Sequence, residues 1–305
     1  MRILFASAKD EGKKIDRFIK NELPAIPYSL ISKAFRKRDI KLNGTRVKNN
    51  RMLSTGDRIE LFIADEILNS YQKKIHLPFV YEDDNIIIIN KPQGIPVQDE
   101  TEPSVETILS GLYSSSGKNK PGKGYPALCH RLDRNTGGLL LLAKNPQALN
   151  ILIAKFKTHE IRKRYKCVVV GRPEKPFADL KAYLLKAPEK SLVKIYNHSV
   201  PESVPIQTNY KVLESTEDLS LLDIELVTGR THQIRAHLAH IGYPVLGDGK
   251  YGKNAVNRKY GFKKQLLWST CLEFLFTSDA SALNYLNGKS FSLPPKSLEE
   301  FLQQN

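Results

Sequence analysis

Cysteine is scarce and scattered. The 305-residue chain has three, Cys129, Cys167 and Cys271, with no CxxC pair. That argues against a disulfide framework or a zinc site and fits a reducing cytoplasm. Long apolar runs are missing too. Stretches such as Ile86–Ile89 and Leu139–Ala143 fall far short of the roughly 20 residues a membrane-spanning helix needs. The start, MRILFASAKDEGKK, lacks the apolar core of a secretory signal. No repeat recurs at a fixed period. The expectation is a cytoplasmic protein that leaves membranes alone. Acidic residues are in short supply: 32 Asp+Glu stand against 47 Lys+Arg, a formal net charge of +15. A surplus of that size points to a polyanionic partner, with nucleic acid foremost. What is plentiful is ordinary: at 41% hydrophobic residues the chain can bury a real core.

The charge is uneven. Residues 1–64 carry 15 Lys+Arg and 7 Asp+Glu, a net of +8, leaving +7 for the other 241. Ile15, Phe18, Ile19 and Leu23 recur at helical spacing, and Pro24 and Pro27 break that helix. Ser29 then offers an N-cap to a second helix with Leu30, Ile31, Ala34 and Phe35 on one stripe. Its polar side carries Lys33, Arg36, Lys37 and Arg38. Ile40–Leu42, Asn43-Gly44 and Thr45–Val47 read as a hairpin. Gly56-Asp57 turns into the alternating strand Ile59, Leu61, Ile63. This order of elements, with Ile15–Ile19, Ser29–Arg38, Val47 and Gly56-Asp57, resembles an S4 RNA-binding domain. It departs from many of them in having Asp39-Ile40 where Gly-x-Val is usual. Arg36, Lys37 and Arg38 are its candidate RNA contacts.

Residues 65–77 are polar and aperiodic, as in a linker. From 78 the texture changes. Phe79–Tyr81 and Ile86–Ile89 read as strands. Ser104 caps a helix bearing Val105, Ile108, Leu109 and Leu112. Residues 114–126, rich in Ser, Gly, Lys and Pro, read as a mobile basic loop. Leu139–Ala143 reads as a buried strand, and Asn145-Pro146 opens a helix with Leu149, Leu152, Ile153 and Phe156 facing the core. Tyr165–Val170 and Leu219–Val227 are further strands, and Thr231–His240 is a helix. Without regular βαβ alternation, the mixture predicts an α+β fold with a mostly antiparallel sheet.

The most specific stretch is His130-Arg131-Leu132-Asp133-Arg134-Asn135-Thr136-Gly137-Gly138, running into Leu139–Lys144. One carboxylate stands between two arginines, beside a histidine, in a turn ahead of a buried strand. Polar groups on a loop held by rigid strands form many active sites, and flanking positive charge keeps a carboxylate ionised and available as a nucleophile or base. On spacing alone, a structural ion pair at a strand start is an equally good reading.

The stretch resembles the signature of the RluA-type pseudouridine synthases. Three others agree in order: Lys163-Arg164-Tyr165 with Val168 and Gly171; Leu226–His237, containing Thr228-Gly229-Arg230-Thr231-His232-Gln233-Ile234-Arg235; and Gly247–Gly252. Tyr81-Glu82-Asp83 and Asn90-Lys91-Pro92-x-Gly94 also fit. The subgroup most similar is RluC-like, whose members modify large-subunit ribosomal RNA. The resemblance implies an S4 domain over 1–64, a linker over 65–77 and a catalytic domain over 78–305, whose bent or split sheet surrounds a basic central cleft. It implies Asp133 as nucleophile, Arg235 as its ion-pair partner and Tyr165 stacked on the target base or acting as its base. His130, Arg131 and Arg134, with Thr228 and Arg230 at a helix N-terminus, are the expected RNA contacts there. His237 and His240 read as structural. The reaction is redox-neutral and calls for no cofactor or metal; a monomer acting on structured RNA, 23S ribosomal RNA first, is the expectation. Gly137 replaces the family's usual serine, and Leu267-Trp268-Ser269 its usual Leu-His-Ala. A catalytically silent RNA-binding factor, a transfer-RNA enzyme and a hydrolase are the rivals.

Overall fold

The structure is a computed structural model that describes residues 1–23, 26, 28–64, 75–99, 103–115, 126–187 and 192–303. The chain divides into two compact units, Met1–His76 with Gln98–Ile108, and Leu77–Val97 with Leu109–Asn305. Pro24, Pro27, most of the expected linker (65–74) and most of the expected basic loop (116–125) lie outside the described residues.

In the first unit, helices α1 (Ile15–Glu22) and α2 (Tyr28–Lys37) accompany a sheet of order β1-β4-β2-β3, formed by β1 (Arg2–Phe5), β2 (Ile40–Leu42), β3 (Thr45–Arg46) and β4 (Arg58–Leu61). The helical spacing read from the sequence builds the core: Ile15, Phe18 and Ile19 from α1 meet Ile31, Ala34 and Phe35 from α2 over Ile40, Ile59 and Leu61. Because α2 begins at Tyr28, Ser29 lies inside its first turn and is not the N-cap. Strand β1 was not anticipated, since Ile3 and Phe5 are exposed and give no buried alternation to detect.

The second unit is built on one large sheet. Its path runs β11 (Leu192–Tyr196), β10 (Phe177–Ala187), β12 (Val204–Ser215), β13 (Leu219–Leu226), β9 (Ile161–Val170), β14 (Leu267–Phe274), β8 (Gly137–Ala143), β6 (Ile86–Lys91) and β5 (Phe79–Glu82). Strand β7 (Ala127–Leu128) pairs with β8 and β15 (Ser290–Ser292) with β14. The α+β expectation holds. All these pairings are antiparallel except β14 with β8, where Trp268 meets Gly137 and Ser269 meets Gly138 in parallel. Every residue of β8 is buried. Its unbroken apolar run is therefore that of a strand covered on both faces.

Helix α3 (Val105–Ser115) starts at the expected cap: Ser104 and Thr107 exchange hydrogen bonds, with Ser104 N–H donating to Thr107 Oγ1 at 2.9 Å. Helix α4 (Pro146–Lys157) is capped by Asn145, whose Oδ1 accepts from Ala148 N–H at 2.9 Å. Its buried stripe is Ala148, Leu152 and Lys155. The expected Ile153 is 48% exposed, because burial at 148, 152 and 155 puts residue 153 on the opposite side. Helix α5 (Gln233–His240) starts two residues later than expected, after a left-handed His232 (φ 56°).

Candidate active site

The loop carrying Asp133 is held from three sides. Thr136 N–H closes its turn on Asp133 O at 3.0 Å. Lys91 Nζ donates to Arg134 O at 3.0 Å and also to the carbonyls of Pro92 and Ile95. Gly94 N–H donates to the same Arg134 carbonyl at 2.9 Å. Gln265 Nε2 anchors Thr136 Oγ1 at 2.7 Å, and Gln93 Nε2 anchors Gln265 O at 2.7 Å. Lys91 is 1% exposed. Burial pushes its pKa down to about 7, against the pull of the Asp133 charge. The Asn90–Gly94 turn therefore acts as a backbone clamp on the Asp133 loop.

Gly138 follows that loop at the β8–β14 junction. Its φ is +102°, and an added Cβ would sit 2.0 Å from Ser269 O. Only glycine satisfies both constraints. Gly137 is confined differently: a Cβ there would lie 2.6 Å from Trp268 Cδ1 and Nε1. The two departures from the RluA-type pattern, Gly137 and Trp268, thus lie against each other. The indole occupies the space a serine side chain would need.

Asp133 and Arg235, distant in sequence, meet directly. Arg235 Nη1 donates to Asp133 Oδ2 at 2.8 Å. The rest of the guanidinium is fixed by Asp248, with Nε to Oδ2 at 2.7 Å and Nη2 to Oδ1 at 2.9 Å. This two-point pairing sets both position and orientation. Asp248 is itself held by the Lys250 and Tyr251 backbone N–H groups on Oδ1. Burial raises the Asp248 pKa, yet Arg235 and these N–H groups hold it below the usual carboxylate range. Burial disfavours the Arg235 charge, and Asp248 and Asp133 more than restore it. The Tyr251 ring lies 5.2 Å from the guanidinium carbon, and its hydroxyl is 2.9 Å from His232 Nδ1. His232 Nε2 is 3.9 Å from Asp133 Oδ2. The Asp248 side chain has no exposure and that of Arg235 7%, whereas Asp133 keeps 22%.

Tyr165 stands on β9, paired with Ser269 and Ile224 on the flanking strands. It is 4% exposed. Burial, reinforced by the Asp133 charge, pushes its phenol pKa well above the ordinary 10.

Arg131, Arg134 and Arg230 are exposed, as are Arg36, Lys37 and Arg38 in the first unit. Two expected contacts are committed elsewhere. His130 Nε2 accepts from Leu141 N–H at 3.1 Å, and burial, with Lys163 nearby, pushes its pKa down to about 3. It is neutral at physiological pH and bound to β8, not a phosphate-holding cation. Thr228 Oγ1 donates to Gln233 Oε1 at 2.9 Å and accepts from Gln207 N–H at 2.9 Å. Gln233 Oε1 also takes the Arg230 N–H at 3.0 Å, so the expected open helix N-terminus is partly filled by a side chain. His237 is tied to Thr208 at 3.1 Å and His240 to Asn197 at 2.8 Å.

Three residues of the site had no role assigned from sequence: Asp248, Tyr251 and His232. All lie within motifs the sequence displays. Only the fold shows that Gly247–Gly252 supplies the second carboxylate for Arg235.

A partly exposed carboxylate oriented by a buried arginine–carboxylate pair is the arrangement of an enzyme site. Residues 85–240 match the RNA pseudouridylate synthase family, to which this chain belongs. It is 31% identical over 288 residues to the ribosomal large subunit pseudouridine synthase C of Escherichia coli K12, covering 90% of this chain and 88% of that one. It is 30% identical over 282 residues to the same-named protein of Vibrio parahaemolyticus, covering 88% and 86%. Among solved structures, Human RNA Pseudouridylate Synthase Domain Containing 4 superposes with a TM-score of 0.59 at 22% identity, over 74% of this chain and 91% of that one.

Proposed function

We propose that this enzyme isomerises uridines of large-subunit (23S) ribosomal RNA to pseudouridine, with Asp133 as nucleophile. The observation that carries the reading is Asp133 itself. It is a partly accessible carboxylate on a clamped loop, held at 2.8 Å by an arginine that a second carboxylate fixes from behind. Such a carboxylate is aimed by its partner and keeps an accessible edge for a substrate. The reaction breaks the N1–C1′ bond, turns the base and forms C5–C1′, with the C5 proton lost and N1 gaining one. The Asp133 carboxylate traps a carbon centre covalently while the base turns and is released when the new bond forms. Tyr165 supports the base by packing. Its raised pKa disfavours the phenolate that a proton acceptor requires.

The target uridine leaves its stack to reach Asp133, and Arg131, Arg134 and Arg230 meet the surrounding phosphates. Residues 1–64 act as an S4-type RNA-binding domain through Arg36, Lys37 and Arg38, joined by a linker over 65–77 to a catalytic domain over 78–305. The names of the bacterial relatives support the ribosomal target and the RluC-like placement. The net charge supports a polyanionic substrate. Among the described residues no helix is long and apolar enough to cross a membrane. A cytoplasmic monomer is the simplest setting for the reaction.

The test is pseudouridine mapping of total RNA, by chemical labelling and reverse-transcription stops, in cells with and without the protein. Loss of defined large-subunit sites, restored by the parent but not by Asp133→Ala, is the expected result. Loss confined to transfer RNA would overturn the ribosomal assignment, and restoration by Asp133→Ala would overturn the nucleophile.

A further inference from the structure

A cavity of about 550 Å³ opens on the other face of the sheet from Tyr165. Alternate residues of a strand point to opposite faces, so Arg164 and Lys166 project away from Tyr165. Both line this cavity, with Trp268, Pro294, Pro295 and Lys296 among its other walls. The volume suits a small organic ligand.

Its charges are unbalanced. Asp223 on β13 pairs directly with Lys166 on β9 and would be its natural partner. That carboxylate is instead hydrogen-bonded by Arg164. Lys166 and Lys296 are left with no side-chain partner among the described residues. The same cavity is lined by the half-buried indole of Trp268, packed on Phe301 at 5.1 Å between ring centroids. Pro294 and Pro295 add apolar surface to the same cavity. The missing side chain at Gly137 leaves the room that the indole fills, since a Cβ there would lie 2.6 Å from the ring.

We propose that this cavity is a nucleotide-binding subsite, with a base held against Trp268 and a phosphate held by Lys166 and Lys296. Aromatic stacking accepts any base, and paired lysines accept the phosphate as point charges. One bare anion would leave the indole unused, and an uncharged ring would leave the lysines unused. The nucleotide comes either from an RNA strand led around the sheet or from a free mononucleotide. The RNA source rests on the function proposed above; the chemistry of the cavity does not.

Trp268 is the only tryptophan in the chain, so fluorescence excited at the red edge, where tyrosine does not absorb, follows this one side chain, and the lysine variants tie its response to the cavity. The full-length protein is titrated with uridine monophosphate, a short mixed-sequence oligoribonucleotide, uridine and inorganic phosphate. Saturable quenching by the two nucleotide ligands is expected, with weak or no response to uridine or phosphate. Lys166→Gln and Lys296→Gln are each expected to raise the dissociation constant about tenfold, as loss of a charged contact does. Thermal unfolding of each variant, matching the parent, excludes a folding defect. An oligoribonucleotide at least about tenfold tighter than the mononucleotide assigns the RNA source, and equal affinities assign the free nucleotide. No saturable change with any nucleotide, or quenching unaltered in the Lys166→Gln/Lys296→Gln double variant, overturns the proposal. Pseudouridine formation by the same preparations is scored separately, so an active enzyme with a silent cavity sinks this inference alone.

Discussion

The second unit contains two buried ion-pair clusters made of similar parts, and they differ in what they leave over. In the first, Lys155 on α4 pairs with Glu160 at 2.7 Å. Lys155 Nζ also donates to Ser278 O and Oγ, which uses its three N–H groups. Glu160 further accepts from Thr158 Oγ1, the Thr277 and Ser278 backbone N–H groups and Ser278 Oγ. Nothing is left for a ligand, and both side chains are almost wholly enclosed. In the second, Arg235 and Asp248 are equally enclosed, but Asp133 accepts a single side-chain hydrogen bond in this cluster and keeps a solvent-facing edge. Burial and ion pairing alone do not distinguish structure from function. Spare acceptor capacity on an oriented carboxylate does.

The sharpest way to break this comparison is Asp133→Asn. It removes the proposed nucleophile while keeping the shape of the loop. Turnover on a ribosomal RNA transcript should fall at least about 10⁴-fold. The thermal midpoint should hardly move, because the asparagine Oδ1 can still accept the Arg235 N–H and Asp248 keeps its two-point pairing with the guanidinium. A large loss of stability with turnover retained would place Asp133 with the structural cluster. Asp248→Asn should do both kinds of damage. It leaves the buried Arg235 charge half-paired, a loss of about 3–5 kcal/mol. It also loosens the group that aims Asp133, a misplacement that costs roughly 100-fold in turnover. Denaturant unfolding and turnover, measured below the lowered midpoint, read the two losses separately. A variant as stable as the parent would show that Asp248 does not carry Arg235.

The closed cluster should respond in stability only. Glu160→Gln should lower the melting temperature by several degrees and leave turnover intact at lower temperature. Lys155 is the foremost of the groups holding the Glu160 pKa below its ordinary 4.5. Its stabilisation is therefore complete above that value and is lost as pH falls beneath it. The parent should thus lose more stability than Glu160→Gln between pH 5 and more acidic solution, as followed by thermal melts. Replacing both partners, Lys155→Met with Glu160→Leu, should recover part of the loss, since an apolar pair can substitute for a buried ion pair. A turnover defect in Glu160→Gln would erase the distinction between the clusters.

How much of this was legible in the sequence follows the same division. Helices α1, α2 and α4 could be read because their apolar residues recur at helical spacing, and strands β6, β8, β9 and β13 because they are short, largely apolar runs. Strand β10 could not: Phe177 is 73% exposed, and buried alternation begins only at Ala182 and Leu184. Asp133 and Arg235 were visible because whole motifs surround them. Their 2.8 Å contact was not, since 102 positions separate them and it is β13, β9, β14 and β8 lying in that order across the sheet that bring helix α5 to the Asp133 loop. Asp248 was displayed in a motif and still had no role, because a carboxylate's partner is set by the fold. Lys155 and Glu160 gave no signal at all, since a buried lysine on an amphipathic stripe looks like a solvated one.

The smallest effect tests the finest distinction, between a tyrosine that packs and a tyrosine that reacts. Tyr165 is buried, and both burial and the neighbouring Asp133 charge keep its phenol protonated. A second anion beside Asp133 is the state the site most disfavours. The ring, not the hydroxyl, is then the useful part, and Tyr165→Phe should keep turnover within about tenfold of the parent, measured in single-turnover reactions. Tyr165→Ala removes the platform and should lose roughly 10- to 100-fold, the range that base–aromatic stacking supplies. If phenylalanine instead falls as far as alanine, the hydroxyl takes part in the chemistry. Its proton would then have to leave toward a group other than Asp133, and a pH–rate profile of the parent would show the ionisation as a basic limb that Tyr165→Phe lacks.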